Sequence, residues 1–188
     1  MPKVSKALVL FIFVASAVMV STAQAALEFS AKLVVQPQSG NPLGGRIFVK
    51  GVRVREVISG PHGIQIMIFR PDRKVTWMIT NGGKACLQMP YLSSDNRFEQ
   101  WTARESSGAR FLGDETVFGM DCRKYQVVEN GQKTLYWISR QLSFPVKVES
   151  PYETDECTNF KQGELNDSLF EIPPGCRKTL TRIAPPEE

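Results

Sequence analysis

The chain has 188 residues, 42 % of them hydrophobic and 22 % charged, with a formal charge of +4. That mixture is too apolar for a disordered chain and too polar for a protein of several membrane spans. The charge is too weak and too dispersed to mark a nucleic-acid partner, and one histidine with four scattered cysteines leaves few ligands for a catalytic transition metal.

Lys3 and Lys6 precede an apolar run from Ala7 to Val20, followed by Ser21-Thr22-Ala23-Gln24-Ala25. A positive start, a short apolar stretch and small residues at the end read as an export signal, residues 1–25, cut before Ala26. The apolar run is shorter than the ~20 residues needed to cross a bilayer, so no stable membrane span is expected in the mature chain. Residues 26–188 are then one domain. Losing Lys3 and Lys6 leaves 21 basic against 19 acidic residues, a charge of +2. Cys86, Cys122, Cys157 and Cys176 make an even count, which in an exported chain reads as two disulfides. Three pairings are open; proximity in sequence favours Cys86–Cys122 with Cys157–Cys176.

The mature chain reads as strands and turns. Phe29, Ala31, Leu33 and Val35 alternate along a first strand. After a loop at 40–45, Ile47–Lys50 and Val52–Ile58 read as strand, broken at Gly51. Strands Ile64–Phe69 and Lys74–Ile79 flank Arg70-Pro71-Asp72-Arg73, a four-residue hairpin loop with Pro71 set for a type I turn. That register pairs Phe69 with Lys74, Ile68 with Val75, Ile66 with Trp77 and Ile64 with Ile79, placing six apolar residues on one face. A three-residue loop after Thr80 adds Ala85, Leu87 and Met89 to that face, and burial favours it over a two-residue loop, which would add Cys86 and Gln88 instead. Between Ser94 and Ser107, Phe98, Trp101, Thr102 and Glu105 recur at helical spacing, predicting a short amphipathic helix or an irregular lid. Strand resumes over Thr116–Val128 and Thr134–Ser139, joined at Asn130-Gly131, whose two-residue turn pairs Tyr125 with Tyr136 and Val127 with Thr134. Phe144–Val148 and Tyr152–Lys161 continue the meander, Asn166–Phe170 is one helical turn, Pro173-Pro174-Gly175 ends regular structure, and 184–188 are a tail. The expectation is a curved antiparallel sheet of nine or ten strands, with one or two short helices covering its apolar face and leaving a groove.

Little in the sequence points to catalysis. His62 lies in a Gly-Pro-His-Gly turn with no nucleophile or orienting acid beside it, the acids have no metal-ligand spacing, and no G-x-S-x-G or phosphate-binding glycine loop occurs. The protein is read as a non-enzyme without a cofactor. Met67, Met78 and Met89, with Trp77, Phe98 and Trp101, are the flexible and aromatic side chains suited to an acyl chain or apolar peptide. Arg55 and Glu56 are an oddity. One loop length puts Val54, Glu56 and Ile58 on the apolar face, and a loop one residue different puts Arg53, Arg55 and Val57 there. Either way a charge enters apolar surroundings, as a rim residue reaching water or as a polar latch.

The segments Gly45–Gly51 with Arg53-Val54-Arg55-Glu56, Phe69–Trp77 (FRPDRKVTW), Phe118–Tyr125 (FGMDCRKY), Trp137–Lys147 and Ser168–Gly175 (SLFEIPPG) together resemble an exported family within the outer-membrane lipoprotein-sorting superfamily, that of the LolA and LolB proteins. The resemblance implies an open half-barrel whose concave face is covered by helices over an apolar cavity. It implies a periplasmic carrier or chaperone for a lipid or lipoprotein acyl chain, in which an arginine on a strand helps hold the cover shut, with Arg55 the nearest candidate. An envelope protein-interaction or stress-sensor module of the same fold is the alternative. The candidate binding residues are Val54 and Arg55; Ile64, Ile66 and Ile68; Val75, Trp77 and Ile79; Leu87 and Met89; and Phe98 and Trp101.

Overall fold

A computed structural model describes residues 27–101 and 108–180. The expected export signal, Thr102, Glu105 and the expected tail lie outside them. Twelve strands form: β1 (Glu28–Pro37), β2 (Leu43–Lys50), β3 (Arg53–Gly60), β4 (Gly63–Arg70), β5 (Val75–Thr80), β6 (Ala85–Pro90), β7 (Arg110–Val117), β8 (Met120–Glu129), β9 (Gln132–Ser139), β10 (Phe144–Glu149), β11 (Glu153–Gln162) and β12 (Arg177–Leu180). They make one open, curved sheet in the order β12-β6-β5-β4-β3-β2-β1-β11-β10-β9-β8-β7. Neighbours are antiparallel except β12, which runs parallel to β6. Helix is confined, among the described residues, to short 3-10 turns such as Ser93–Asp95 and Asp167–Phe170.

Turn chemistry decides which side chains share a face. Asn130 and Gly131 both take positive φ, and the two-residue turn pairs Tyr125 with Tyr136 and Val127 with Thr134, as expected. The β4–β5 loop holds Pro71 to Lys74, because Lys74 adopts a left-handed conformation (φ 56) instead of opening β5. The register therefore slides by two residues, to Ile66↔Ile79 and Ile68↔Trp77. A slide of two leaves every side chain on its expected face.

The β5–β6 turn overturns its expectation. It spans 81–84 and pairs Thr80 with Ala85, so Cys86 and Gln88 join Ile79 and Trp77, and Leu87 and Met89 lie on the opposite face. A disulfide to Cys176 fixes Cys86 there, and Trp77 Nε1 donates to Gln88 Oε1 at 3.0 Å. Phe118 (φ 51) and Gly119 (φ 77) make a further tight turn, splitting the single strand expected over Thr116–Val128 into β7 and β8. β12 follows the Pro-Pro-Gly where regular structure was expected to end.

Curvature follows from the connection between the two halves. The sheet order places β6 near one edge and β8 and β9 near the other. In a flat sheet β6 and β9 would be ~38 Å apart at ~4.8 Å per strand. The ten steps from Tyr91 to Trp101 span at most ~35 Å even fully extended, and this segment includes a 3-10 turn, yet Trp101 stacks on Tyr125 of β8 and Tyr136 of β9. The sheet curls toward the face the segment crosses, which we call the inner face. Phe29 of β1 meets Phe144 of β10 edge-on at 5.0 Å across the intervening β11. The main core lies on this face, from Phe29, Leu33, Ile47 and Val49 to Ile138, Phe144 and Val148. A second cluster, Ile68, Trp77, Ile79 and Cys86 with Phe170, lies on the outer face of β4–β6.

Candidate functional site: the inner face and its plug

Residues 91–101 plug the inner face. Pro90 ends β6, and the fully buried Asn96 holds the following turn by accepting the Phe98 backbone N–H at its Oδ1, 3.2 Å away. Phe98 then lies parallel to the Phe144 ring, 6.0 Å between centroids. Trp101 sits 4.9 Å from Tyr125 and 5.2 Å from Tyr136, and its backbone N–H donates to the Ser143 carbonyl at 3.2 Å. Both side chains are 2 % exposed. The spacing that predicts a helix here marks two residues aimed at the same floor, although the chain reaching them is irregular through Trp101.

Charge secures the plug beside this aromatic contact. Arg97 pairs with Glu153 and lies 3.0 Å from Asp155 Oδ2 on β11. Asp155 is 1 % exposed. Burial pushes its carboxyl up to about 6 and Glu153 adds to the rise, with Arg97 opposing it. Glu56 on β3 faces the same cluster, and burial pushes it up to about 7 against the pull of Arg97, with Asp155 and Glu153 adding to the rise. Burial, reinforced by Glu56 and Asp155, also holds the Cys157 thiol well above its ordinary value, so it stays protonated.

The outer face is closed differently. Residues 165–176 form a strap across β2–β6. Phe170 is fully buried beneath it, flanked by Leu165, Leu169 and Ile172. Arg55 Nη1 donates to the Leu169 carbonyl at 2.8 Å. The buried Arg70 donates to the Phe170 carbonyl and Glu171 and binds Asp72 through two nitrogens. Lys50 Nζ and Arg53 each reach Asp167 at 3.1 Å, and Cys86–Cys176 pins the end, Cα atoms 5.9 Å apart. The nearest-neighbour disulfide pairing is thereby corrected: Cys122 and Cys157 are buried free thiols.

The twelve candidate binding residues therefore do not share one face. Val54, Leu87, Met89, Phe98 and Trp101 are on the inner side. Ile66, Ile68, Val75, Trp77 and Ile79 lie with Arg55 on the outer side, where the strap covers much of the surface, and Ile64 at the hairpin end of the same side is 57 % exposed. The two-residue turn Pro61-His62 pairs Gly60 with Gly63 and settles the choice left open on β3. Arg55 falls beside Ile68 and Glu56 beside Met67, so each face receives one charge. Arg55 does hold a cover, but the outer one. The guanidinium that holds the inner plug is Arg97, which no spacing in the sequence singles out, because its partners on β11 come from the far half of the chain.

Beside the plug lies a cleft of about 270 Å³, lined by Trp101, Arg123, Tyr125, Ile138, Ser139, Arg140 and Ser143. A notch of about 250 Å³ at the opposite hairpin ends is lined by residues including Leu43, Ile58, Pro61, His62 and Ile64. Among the described residues no group of three His, Cys, Asp or Glu side chains is arranged to hold a metal ion, and no helix is long and apolar enough to cross a membrane.

No family model and no curated protein matches the sequence. Among solved structures, the fold is similar to an uncharacterized conserved protein from Thermus thermophilus (TM-score 0.57, 12 % identity, 84 % of this chain and 92 % of that one). It is similar to PNGF-II (0.53, 10 %, 83 % and 32 %) and to MucB (0.50, 16 %, 82 % and 60 %). This chain thus spans about a third of the length of PNGF-II and 60 % of MucB. A LolA superfamily protein, NE2245 from Nitrosomonas europaea, also matches (0.41, 12 %, 79 % and 91 %). What these likenesses share with the chain is the fold, here one open, curved sheet of twelve strands, and the disulfide is the mark of an oxidising compartment.

Proposed function

We propose that the protein is a non-enzymatic binding protein of the periplasm, exported by residues 1–25, that shelters an acyl chain of a lipid or lipoprotein on its inner face. The observation behind this reading is that a curved apolar face is closed by an irregular segment carrying two aromatic side chains, not by a strand or a helix. Withdrawing Phe98 and Trp101 exposes apolar surface worth ~1.5–3 kcal/mol for each. An acyl chain returns ~0.8 kcal/mol per buried methylene, so ten methylenes exceed that cost before ordering terms. Met67, Leu87 and Met89, half-buried on the same side, are flexible enough to follow the chain. The test is mass spectrometry of organic extracts of protein purified from a native envelope, with titration of a fluorescent fatty acid. Co-purifying lipid and saturable uptake are expected; an extract free of lipid, with no uptake, contradicts the proposal.

The tight seating of Phe98 and Trp101 favours one second reading. A face already filled by its own plug suits an envelope protein-interaction or sensor module, in which a protein partner replaces the plug. Capture of an envelope partner that persists after delipidation supports this reading; loss of the partner with the lipid returns the case to the carrier.

A further inference from the structure

We infer that the cleft beside Trp101 binds the anionic headgroup, carboxylate or phosphate, of the amphiphile whose chain the inner face takes up. The inference rests on the carrier reading and names the ligand's polar end.

The cleft has a floor and a rim of different chemistry. Trp101 and Tyr125 form the floor with Ile138, all three nearly fully buried. Arg123 and Arg140 form the rim, both exposed. Arg123 lies opposite Ile138 on the next strand, one alternation from Tyr125 on the inner side of β8, and Arg140 directly follows β9. The tight turn at Ser143 (φ 48) brings its carbonyl onto the Trp101 N–H, fixing the plug's end against the cleft wall. Two guanidinium groups over an aromatic floor suit a group that is anionic outside and apolar within, since a guanidinium matches carboxylate and phosphate oxygens two at a time.

Two further observations bear on the site. Among the described residues the buried Trp101 indole Nε1 has no hydrogen-bond partner, an arrangement that native proteins seldom leave without a purpose; a ligand atom beside the plug would supply the acceptor. The acids beside Arg140 compete only weakly. Arg140 Nη2 lies 2.7 Å from Asp114 Oδ2, but both side chains are about half exposed, and surface pairs of this kind exchange readily. Asp121 meets Arg140 through its backbone carbonyl. About 270 Å³ is room for a headgroup and not for a whole lipid, so the chain must continue under the plug, past Trp101 and along the aromatic floor.

The experiment compares three probes on the full mature chain by calorimetry at low salt: dodecyl phosphate below its micellar concentration, uncharged dodecyl maltoside, and inorganic phosphate. Dodecyl phosphate is expected to bind at least tenfold more tightly than the maltoside. The double variant Arg123→Gln/Arg140→Gln is expected to erase that preference while keeping the thermal midpoint of the wild type, and Arg123→Lys/Arg140→Lys should restore part of it. Equal affinity for the two amphiphiles, or an unchanged preference in the glutamine variant, overturns the headgroup site and leaves the carrier reading standing. Saturable inorganic phosphate binding without amphiphile binding keeps an anion site and removes the carrier. Absence of binding by all three overturns both.

Discussion

The two covers of this sheet close their apolar surfaces by opposite means, the inner one over the main core and the outer one over a smaller cluster. The outer strap is locked: a disulfide at its end, Phe170 fully buried beneath it, and Arg55, Arg70 and Lys50 gripping the backbone carbonyls of Leu169, Phe170 and Leu165. The inner plug has no covalent tie among the described residues, and its carboxyls outnumber its guanidinium. Three carboxyls, Glu56, Glu153 and Asp155, share one guanidinium, and burial raises two of them toward neutrality. The carrier reading proposed above takes the inner face as the side that opens, because its cover lacks the covalent and backbone ties of the outer one.

Breaking the strap should give the largest effect. The disulfide joins residues 90 apart, and closing a loop of that length restrains the unfolded chain by about 4.5 kcal/mol in the entropy model. Cys86→Ser/Cys176→Ser should lower stability by about 3–4 kcal/mol in urea unfolding, and Phe170→Ala by about 3–5 kcal/mol. In both variants, amides of 165–176 should lose hydrogen-exchange protection while those of 96–101 keep it. Arg70→Met should cost about 2–3 kcal/mol by the same measurement, since it strands the acceptors at Phe170, Asp72 and Glu171.

Acidity sharpens the comparison because the two covers respond with opposite sign. The acids of Glu56 and Asp155 are raised by burial, so the closed plug binds more protons than an opened one. Closure therefore gains as pH falls from about 7 toward 5 and weakens as pH rises through that window. The strap's carboxyls respond the other way. Arg70 and Arg73 hold Glu171 below the usual carboxylate range, Arg70 does the same for Asp72, and Lys50 for Asp167. Their contribution is complete above the ordinary carboxylate range and is lost as pH falls below it. Exchange protection of 96–101, corrected for intrinsic rates, should rise from pH 8 to pH 5.5 while that of 165–176 stays level. A parallel response of both segments would break the contrast.

The smallest expected effect is that of Asp155→Asn, which removes a buried charge along with one partner of Arg97. Stability near pH 7 should change by less than about 1 kcal/mol, because the burial cost and the ion pair largely offset. The response of the plug to pH between 5.5 and 8 should flatten. An unchanged pH profile in this variant would take Asp155 out of the latch.

The sequence made local geometry legible and left the long-range arrangement hidden. Asn130-Gly131 set its hairpin in the correct register because a two-residue turn with both φ positive admits one pairing. The β4–β5 slip was harmless because it moved by two, but the β5–β6 choice went to the wrong face. The expectation there rests on burying Ala85, Leu87 and Met89, while the group that anchors the strand is Cys86, through a partner 90 residues away. The resemblance to the lipoprotein-sorting superfamily implies an open half-barrel, which the curved twelve-stranded sheet matches; it implies one cover on the concave face with a strand arginine on it, whereas two covers exist and Arg55 lies on the outer one. Arg97, Glu153 and Asp155 were invisible for the same physical reason: the cluster forms only because residues 91–101 cross the sheet from β6 to β11 and beyond, and strand order is not written in hydrophobic periodicity.

The most direct test of the central claim is hydrogen exchange of the mature protein with and without dodecyl phosphate. Exchange should change in 96–101 and in the facing strands β8, β9 and β11, while 165–176 and β4–β6 under the strap stay as they were. Changes centred on the strap, or bound amphiphile with no change at the plug, would contradict the assignment of the inner face as the binding side.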